Sequence, residues 1–413
     1  APVVLTSDSS GNLAVTEKND KPLPLKGVTV IALEQAIAAP LCTRQLAEQG
    51  ARVIKVERPG TGDFARAYDD RVNGLSSHFV WVNRSKESLT LNLKSAAAQE
   101  ILHRLLAEAD ILVQNLAPGA TARMGLSFEQ LHQQYPQLIV CDISGYGEGG
   151  PYQDKKAYDL LIQSESGFLS VTGTPDAGGM VKAGCSVADI AAGMYASNAI
   201  LSALLLRART EEGAHIDVSM LESLVEWMGY PLYYSYDGAQ PPARAGASHA
   251  TIYPYGSFPV GDGKTVMLGL QNDREWRAFC EQVLKYPELA QDPRYRDNPR
   301  RSENREELAA RIAEVFAGMT LEEVICRLDK AGIANAVVND MAHVWHHPQL
   351  TARDRWLDVA TPVGSIPALK APGLYFPEAV SGVPAVGEHK AAILQQLGYS
   401  PDRIDQFERD GVI

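Results

Sequence analysis

The chain has 413 residues, 45% hydrophobic and 21% charged, the proportions of a globular protein rather than a disordered or collagen-like one. Its length exceeds what a single core usually fills, so two lobes are expected. A net charge of −12 argues against a general nucleic-acid or membrane-surface binder, because tracking phosphates needs a positive field; an anionic ligand would have to be held by local Arg and Lys.

The opening residues, 1–26, mix Ser, Asp, Asn and Lys with no continuous apolar run, so they do not read as a secretory signal. No window reaches the length of a membrane span. Residues 28–33 form a β-branched apolar run, residues 39–50 read as a helix with Pro near its start and Gly at its end, and residues 52–57 form a second strand. Together they predict a right-handed β-α-β unit, the start of a doubly wound parallel sheet. The turn between them lacks G-x-G-x-x-G, and G-x-x-x-x-G-K-[ST] is absent too, which weakens NAD, FAD and P-loop readings.

The same rhythm continues through strands at 89–93 and 111–115, a helix at 96–109, a capping box at Ser127 and Gln130, and a strand at 138–143. Residues 188–209 predict a long apolar helix rich in small residues, followed by a strand at 215–220 and a helix at 221–228. Residues 237–250 turn to Gly, Pro and Ala and read as a linker. Strands at 253–258 and 265–270 and helices at 273–284, 302–319 and 320–331 then build a second lobe, and two short helices after Lys390 close the chain. The expected division is a large domain over 1–236 completed by 340–413, with the linker and a small domain over 237–339. The fold class expected is α/β, a Rossmann-like parallel sheet with a smaller α+β domain.

Cys42, Cys141, Cys185, Cys280 and Cys326 are scattered, odd in number and without a C-x-x-C pair, which reads as reduced core thiols in a cytoplasmic protein. His346 and His347 lack a third patterned ligand, so they read as loop residues and no metal site is expected. The run Ser164-Glu165-Ser166-Gly167 is not a G-x-S-x-G elbow, which disfavours a serine hydrolase.

Asp159 stands out. It follows a strand end and a Gly-rich loop, Gly145 to Gly150, in the region where open α/β sheets bind ligands, and it opens the apolar run Leu160-Leu161-Ile162. It is either the cap of that helix or a nucleophile.

Several motifs in order, Gly50-Ala51-Arg52-Val53-Ile54-Lys55-Val56-Glu57-Arg58-Pro59 with Gly62-Asp63, Asn83-Arg84-Ser85-Lys86, Asn115-Leu116-Ala117-Pro118-Gly119 with Arg123-Met124-Gly125, and Tyr158-Asp159 with Gln163, resemble the family III CoA-transferases of CaiB/BaiF type. The resemblance covers nearly the whole chain. It implies that Asp159 is the catalytic aspartate, that Arg58 stacks on the CoA adenine, that Leu91 and Lys94 lie along the nucleotide and its phosphates, and that Asn115, Leu116, Arg123 and Met124 complete the CoA-contacting loop. It also implies an interlocked homodimer, acyl-CoA and free carboxylic acid substrates, and no permanently bound cofactor, the CoA thioester being substrate.

Elementary chemistry agrees. A carboxylate can attack a thioester carbonyl, giving an acyl-aspartyl anhydride and CoA thiolate, and so divide one exchange into easier steps. Ile37 stands where formyl-CoA transferases carry a glutamine, and no run of glycines matches their mobile glycine loop, whose place the region around Tyr253-Pro254-Tyr255-Gly256 would take. Both departures point away from oxalate, and the stretches 34–44 and 62–66 resemble the members that act on a short branched or unsaturated dicarboxylate of mesaconyl, citramalyl or itaconyl type. Arg66, Arg71 or Arg244 would hold its distal carboxylate. Two alternatives are a 2-methylacyl-CoA racemase, disfavoured because Tyr158 rather than His neighbours the aspartate, and a non-catalytic CoA-binding protein.

Overall fold

A computed structural model describes residues 22–413 and, before them, the backbone of an antiparallel hairpin, Val4–Ser7 with Leu13–Thr16. The reading of the opening residues as no secretory signal lies mostly outside the described residues. Contacts divide the chain into two units: residues 1–156, 189–219 and 356–413 form the first, and 157–188 with 220–355 form the second.

The first unit is built on six strands: β1 (Thr29–Leu33), β2 (Arg52–Glu57), β3 (Glu87–Thr90), β4 (Ile111–Gln114), β5 (Ile139–Ser144) and β6 (His215–Ser219). All pairings are parallel and the order is β3-β2-β1-β4-β5-β6. Every residue of β4 is buried, as expected of a parallel strand covered on both faces. The order reverses between β1 and β4, and the crevice beyond their carboxyl ends is where such sheets bind ligands.

Helices α1 (Ala38–Ala47), α2 (Ser77–Asn83), α3 (Ala96–Glu108), α4 (Ala120–Arg123) and α5 (Phe128–Gln134) connect these strands. The predicted capping box at Ser127 and Gln130 is formed. One core packs Ile31, Leu89, Leu102 and Leu105 against Ile393, Leu394, Ile404 and Phe407, so the two C-terminal helices complete this unit.

Helix α6 (Asp159–Glu165) belongs to the second unit, and α7 (Val187–Thr210) lies from Asp189 onward in the first. At 24 residues, with a mean hydropathy of 1.4 over its most apolar window, α7 is long and apolar enough to cross a membrane by length and composition. That corrects the expectation that no window reaches such a length. Its Ala191, Ala192, Ala196 and Ile200 are nevertheless buried, and a Cβ at Gly193 would lie 2.5 Å from the carbonyl oxygen of Ala38, so glycine there permits close helix packing.

In the second unit α8 (Met220–Trp227) and α9 (Gly229–Tyr234) precede an antiparallel sheet of β7 (Tyr255–Pro259), β8 (Thr265–Gly269) and β9 (Ala334–Val337), with β8 central. Its core gathers Trp276, Phe279, Tyr295, Phe316 and Leu328. The second capping box, Thr320 with Glu323, is formed, and Gly332 adopts φ +70° after that helix. A hairpin that the sequence patterning missed, Trp356–Thr361 with Gly364–Leu369, belongs to the first unit.

All five cysteines are free, with Cys42, Cys141 and Cys280 buried. Cys185 and Cys326 are exposed, which corrects their reading as core thiols.

Candidate active site

Asp159 is the first residue of α6 and does not cap it; Tyr158 holds the cap position without a side-chain hydrogen bond. Its carboxylate turns to other partners. Oδ1 accepts the backbone N–H of Ala188 at 2.8 Å, and Oδ2 accepts Nε2–H of Gln163 at 2.6 Å. Ala188 lies in the first turn of α7, where N–H groups lack helical acceptors and the dipole favours an anion. Gln163, one turn along α6, is 1% exposed, and its Oε1 accepts the Ala183 amide at 2.9 Å. Asp159 is half-buried and Tyr158 is 70% exposed, and the donors from Ala188 and Gln163 orient the carboxylate.

In the first unit, the turn after β1 is pinned at the switch point. Asn115, just past β4, accepts the Gln35 amide through Oδ1 at 2.8 Å and donates Nδ2–H to the Gln35 carbonyl at 2.9 Å. Asp63 accepts the Ala36 amide at 3.0 Å, at a residue whose φ is +60°, and the Ala65 amide at 2.9 Å. Gln35 Oε1 in turn accepts the Phe64 amide at 3.0 Å, and the Arg58 guanidinium stacks over the half-exposed Phe64 ring at 4.7 Å.

Beneath this turn lies a buried ionic network that sequence reasoning missed. Lys55 Nζ donates to Asp63 at 2.7 Å and Glu34 at 3.2 Å, and Lys86 Nζ donates to Glu34 at 2.8 Å, all four side chains being buried. Burial lowers the Lys86 ammonium to about 8 despite Glu34. Burial would also lower Lys55, but Glu34 and Asp63 outweigh it and its pKa is raised. Nearby, burial would raise Glu57, yet hydrogen bonds from Arg66, the Lys55 charge and Ser88 hold it at about 2. The signal available in sequence was the charge pattern Lys55, Glu57, Asp63 inside an apolar setting.

The family model for CoA-transferase family III matches residues 25–390. The chain belongs to that family. It is therefore a CoA-transferase, similar to the succinyl-CoA:glutarate CoA-transferase of Mus musculus, at 34% identity over 95% of this chain and 91% of the relative. It is equally similar to the acetyl-CoA:oxalate CoA-transferase of Acetobacter aceti, at 34% identity over 91% of this chain and 96% of the relative. A solved CAIB/BAIF family protein from Brucella suis is 34% identical, covers 91% of this chain and all of its own, and superposes with a TM-score of 0.79.

Within this CoA-transferase the positions expected to contact CoA fall into three groups. Arg58, Lys94 and Arg123 are exposed, with the Arg123 guanidinium 2.8 Å from where a Cβ on Gly119 would stand. Leu116 and Met124 are half-buried against the core, and the Leu91 side chain is buried within it, leaving Leu91 little besides its backbone to offer a ligand. Asn115 has its side-chain amide committed to Gln35.

Of the arginines expected to hold a distal carboxylate, Arg66 is bidentate to Glu57 and bonded to the Pro384 carbonyl, and Arg244 donates to the carbonyls of Thr174 and Asp176. Arg71 is exposed. His347 caps a short helix through Nδ1, accepting the Gln349 amide, and no metal-ligating cluster occurs among the described residues.

Proposed function

We propose that Asp159 is the nucleophile of a CoA transfer between two carboxylic acids, with a short dicarboxylate as one of them. The observation that supports this most is the hydrogen bonding of the half-buried Asp159 carboxylate to Gln163 and Ala188, which fixes its orientation. A carboxylate oxygen attacks the thioester carbonyl, the C–S bond breaks, and an acyl-aspartyl anhydride forms with CoA thiolate leaving. The thiolate attacks the aspartyl carbonyl, releases the first acid and leaves an aspartyl-CoA thioester. The acceptor carboxylate displaces CoA to form a second anhydride, and the thiolate then takes the acceptor acyl group and frees Asp159.

CoA would be met by Arg58, Lys94 and Arg123 through its charges and adenine, and by Leu91, Asn115, Leu116 and Met124 through backbone and packing contacts. In a chain of net charge −12, such local cations answer the repulsion that several phosphates would meet. The relatives' names span the two-carbon oxalate and the five-carbon glutarate, which supports a dicarboxylate of mesaconyl, citramalyl or itaconyl size. We propose a homodimer as well, interlocked as in the family; exposed Trp227, Leu232, Tyr233 and Tyr236 supply apolar surface for a partner. A cytoplasmic enzyme fits the free cysteines.

The test is a matrix of acyl-CoA donors against free mono- and dicarboxylic acids, read by mass spectrometry for the new thioester. Transfer confined to short dicarboxylates, and abolished by Asp159→Asn in a folded protein, supports the reading. Transfer that survives in Asp159→Asn, or α-proton exchange of a 2-methylacyl-CoA in deuterated water without transfer, rejects it.

A further inference from the structure

His249 is held in a way that a loop residue does not require. Its Nδ1 accepts two backbone N–H groups, from Thr251 and Ile252, each at 3.1 Å. A nitrogen that accepts twice carries no proton, so the ring proton sits on Nε2, and Nε2 has no hydrogen-bond partner among the described residues. The ring plane is fixed as firmly as the tautomer: Tyr255 stacks on it at 5.3 Å and 8°, and Tyr230 at 6.3 Å and 25°.

The backbone beneath it is equally constrained. The His249 amide donates to the Tyr255 carbonyl at 2.7 Å, and Arg305 donates to the carbonyls of His249 and Ala250 at 3.1 and 3.0 Å. A Cβ on Gly256 would meet the Ser248 Cα at 2.7 Å, so the segment lies flush on β7. This is a rigid mount for one N–H donor.

Two routes inside the second unit connect that mount to α6, the helix Asp159 opens, and to the strap that follows it. α6 packs on α8, and α9, which follows α8, supplies the Tyr230 that stacks on the imidazole. The strap that leaves α6 is bonded to the same loop, Gly246 N–H to the Gly173 carbonyl at 2.7 Å and Arg244 to the Thr174 carbonyl at 2.8 Å.

We propose that His249 donates its Nε2–H to the acyl carbonyl oxygen attacked by Asp159, so that a neutral imidazole stabilises the charge gathering on that oxygen. The inference rests on Asp159 as nucleophile. A neutral donor suits the task, because it polarises a carbonyl without carrying a charge that would bind the resting carboxylates. No bond is made or broken at His249; the proton stays on Nε2 throughout.

Two substitutions separate this role from loop structure. His249→Asn keeps an acceptor oxygen near the Nδ1 position and removes the distal donor, whereas His249→Gln sets an amide N–H near the Nε2 position and removes the proximal acceptor. With the preferred acyl-CoA and acid, His249→Asn should keep the wild-type melting temperature and KM within twofold and lose about 100-fold in kcat. His249→Gln should recover about tenfold of that loss. The inference is overturned if His249→Asn transfers CoA within a few-fold of wild type, or if both variants lose kcat and melting temperature together, the mark of a structural role. A wild-type enzyme that forms no Asp159 adduct would overturn the reading beneath it and this inference with it, whereas an intact adduct with an unaffected His249→Asn would overturn this inference alone.

Discussion

Gln163 donates its side-chain amide to Asp159 across 2.6 Å, from one turn further along the same helix, while its own carbonyl oxygen is fixed by the Ala183 amide. The donor is buried and cannot drift, so the carboxylate it serves has one favoured orientation.

Removing that donor should therefore lower kcat more than it lowers stability. A hydrogen bond to a charged group contributes about 1.5–3 kcal/mol, so Gln163→Ala is expected to lose roughly 10- to 100-fold in kcat with KM nearly unchanged. Steady-state kinetics beside a thermal melt checks it; an unchanged kcat would show that Asp159 is oriented without Gln163.

The Arg58 guanidinium rests on Phe64, whose amide is held by Gln35 Oε1 and whose neighbour Ala65 is capped by Asp63. If that stack carries the adenine, Phe64→Ala should raise KM for a CoA thioester by roughly 2- to 30-fold, the range of about 0.5–2 kcal/mol for a cation–π contact. The matching pantetheine thioester, which lacks the nucleotide, should be unaffected. Equal losses on both substrates would remove Phe64 from nucleotide binding.

Lys55 neutralises Glu34 and Asp63 where all three side chains are buried. Lys55→Met should cost about 3–5 kcal/mol of stability, because it leaves buried Asp63 without its cation and Glu34 with Lys86 alone. Urea denaturation measures it. A loss under 1 kcal/mol would mean that Lys86 alone suffices.

Glu57 supplies a pH dependence with a definite sign. Its carboxyl is held at about 2 in the folded chain against an ordinary 4.5, so the unfolded state binds the extra proton first as pH falls. The stability it contributes is complete above about pH 4.5 and is lost progressively toward pH 2. Arg66→Gln should weaken the hold and flatten that part of the curve, which circular dichroism melts from pH 6 to 2 would record; a curve identical to wild type would assign the acid sensitivity elsewhere.

Much of this was legible beforehand. Strands over 28–33 and 52–57 read clearly because β1 is largely apolar and β2 carries the β-branched Val53, Ile54 and Val56, and the boxes at Ser127 and Thr320 read because capping is local chemistry. Asp159 was identified as a residue but not its setting: its Ala188 partner is distant in sequence, and only the Asp-to-Gln spacing of one turn hinted at Gln163. The division of the chain escaped for the same reason. The linker composition at 237–250 suggested a boundary there, whereas contacts assign 157–188 and everything from 220 to 355 to the second unit. The hairpin at Trp356–Thr361 was missed because little of it is buried, so no clear alternation marks it.

Trapping the covalent intermediate tests the central claim most directly. The enzyme, mixed with an acyl-CoA donor, quenched with hydroxylamine and digested, should yield the peptide containing Asp159 as its hydroxamate, absent without donor and absent in Asp159→Asn. A peptide left unmodified while transfer proceeds, or a hydroxamate on another carboxylate, would contradict the account.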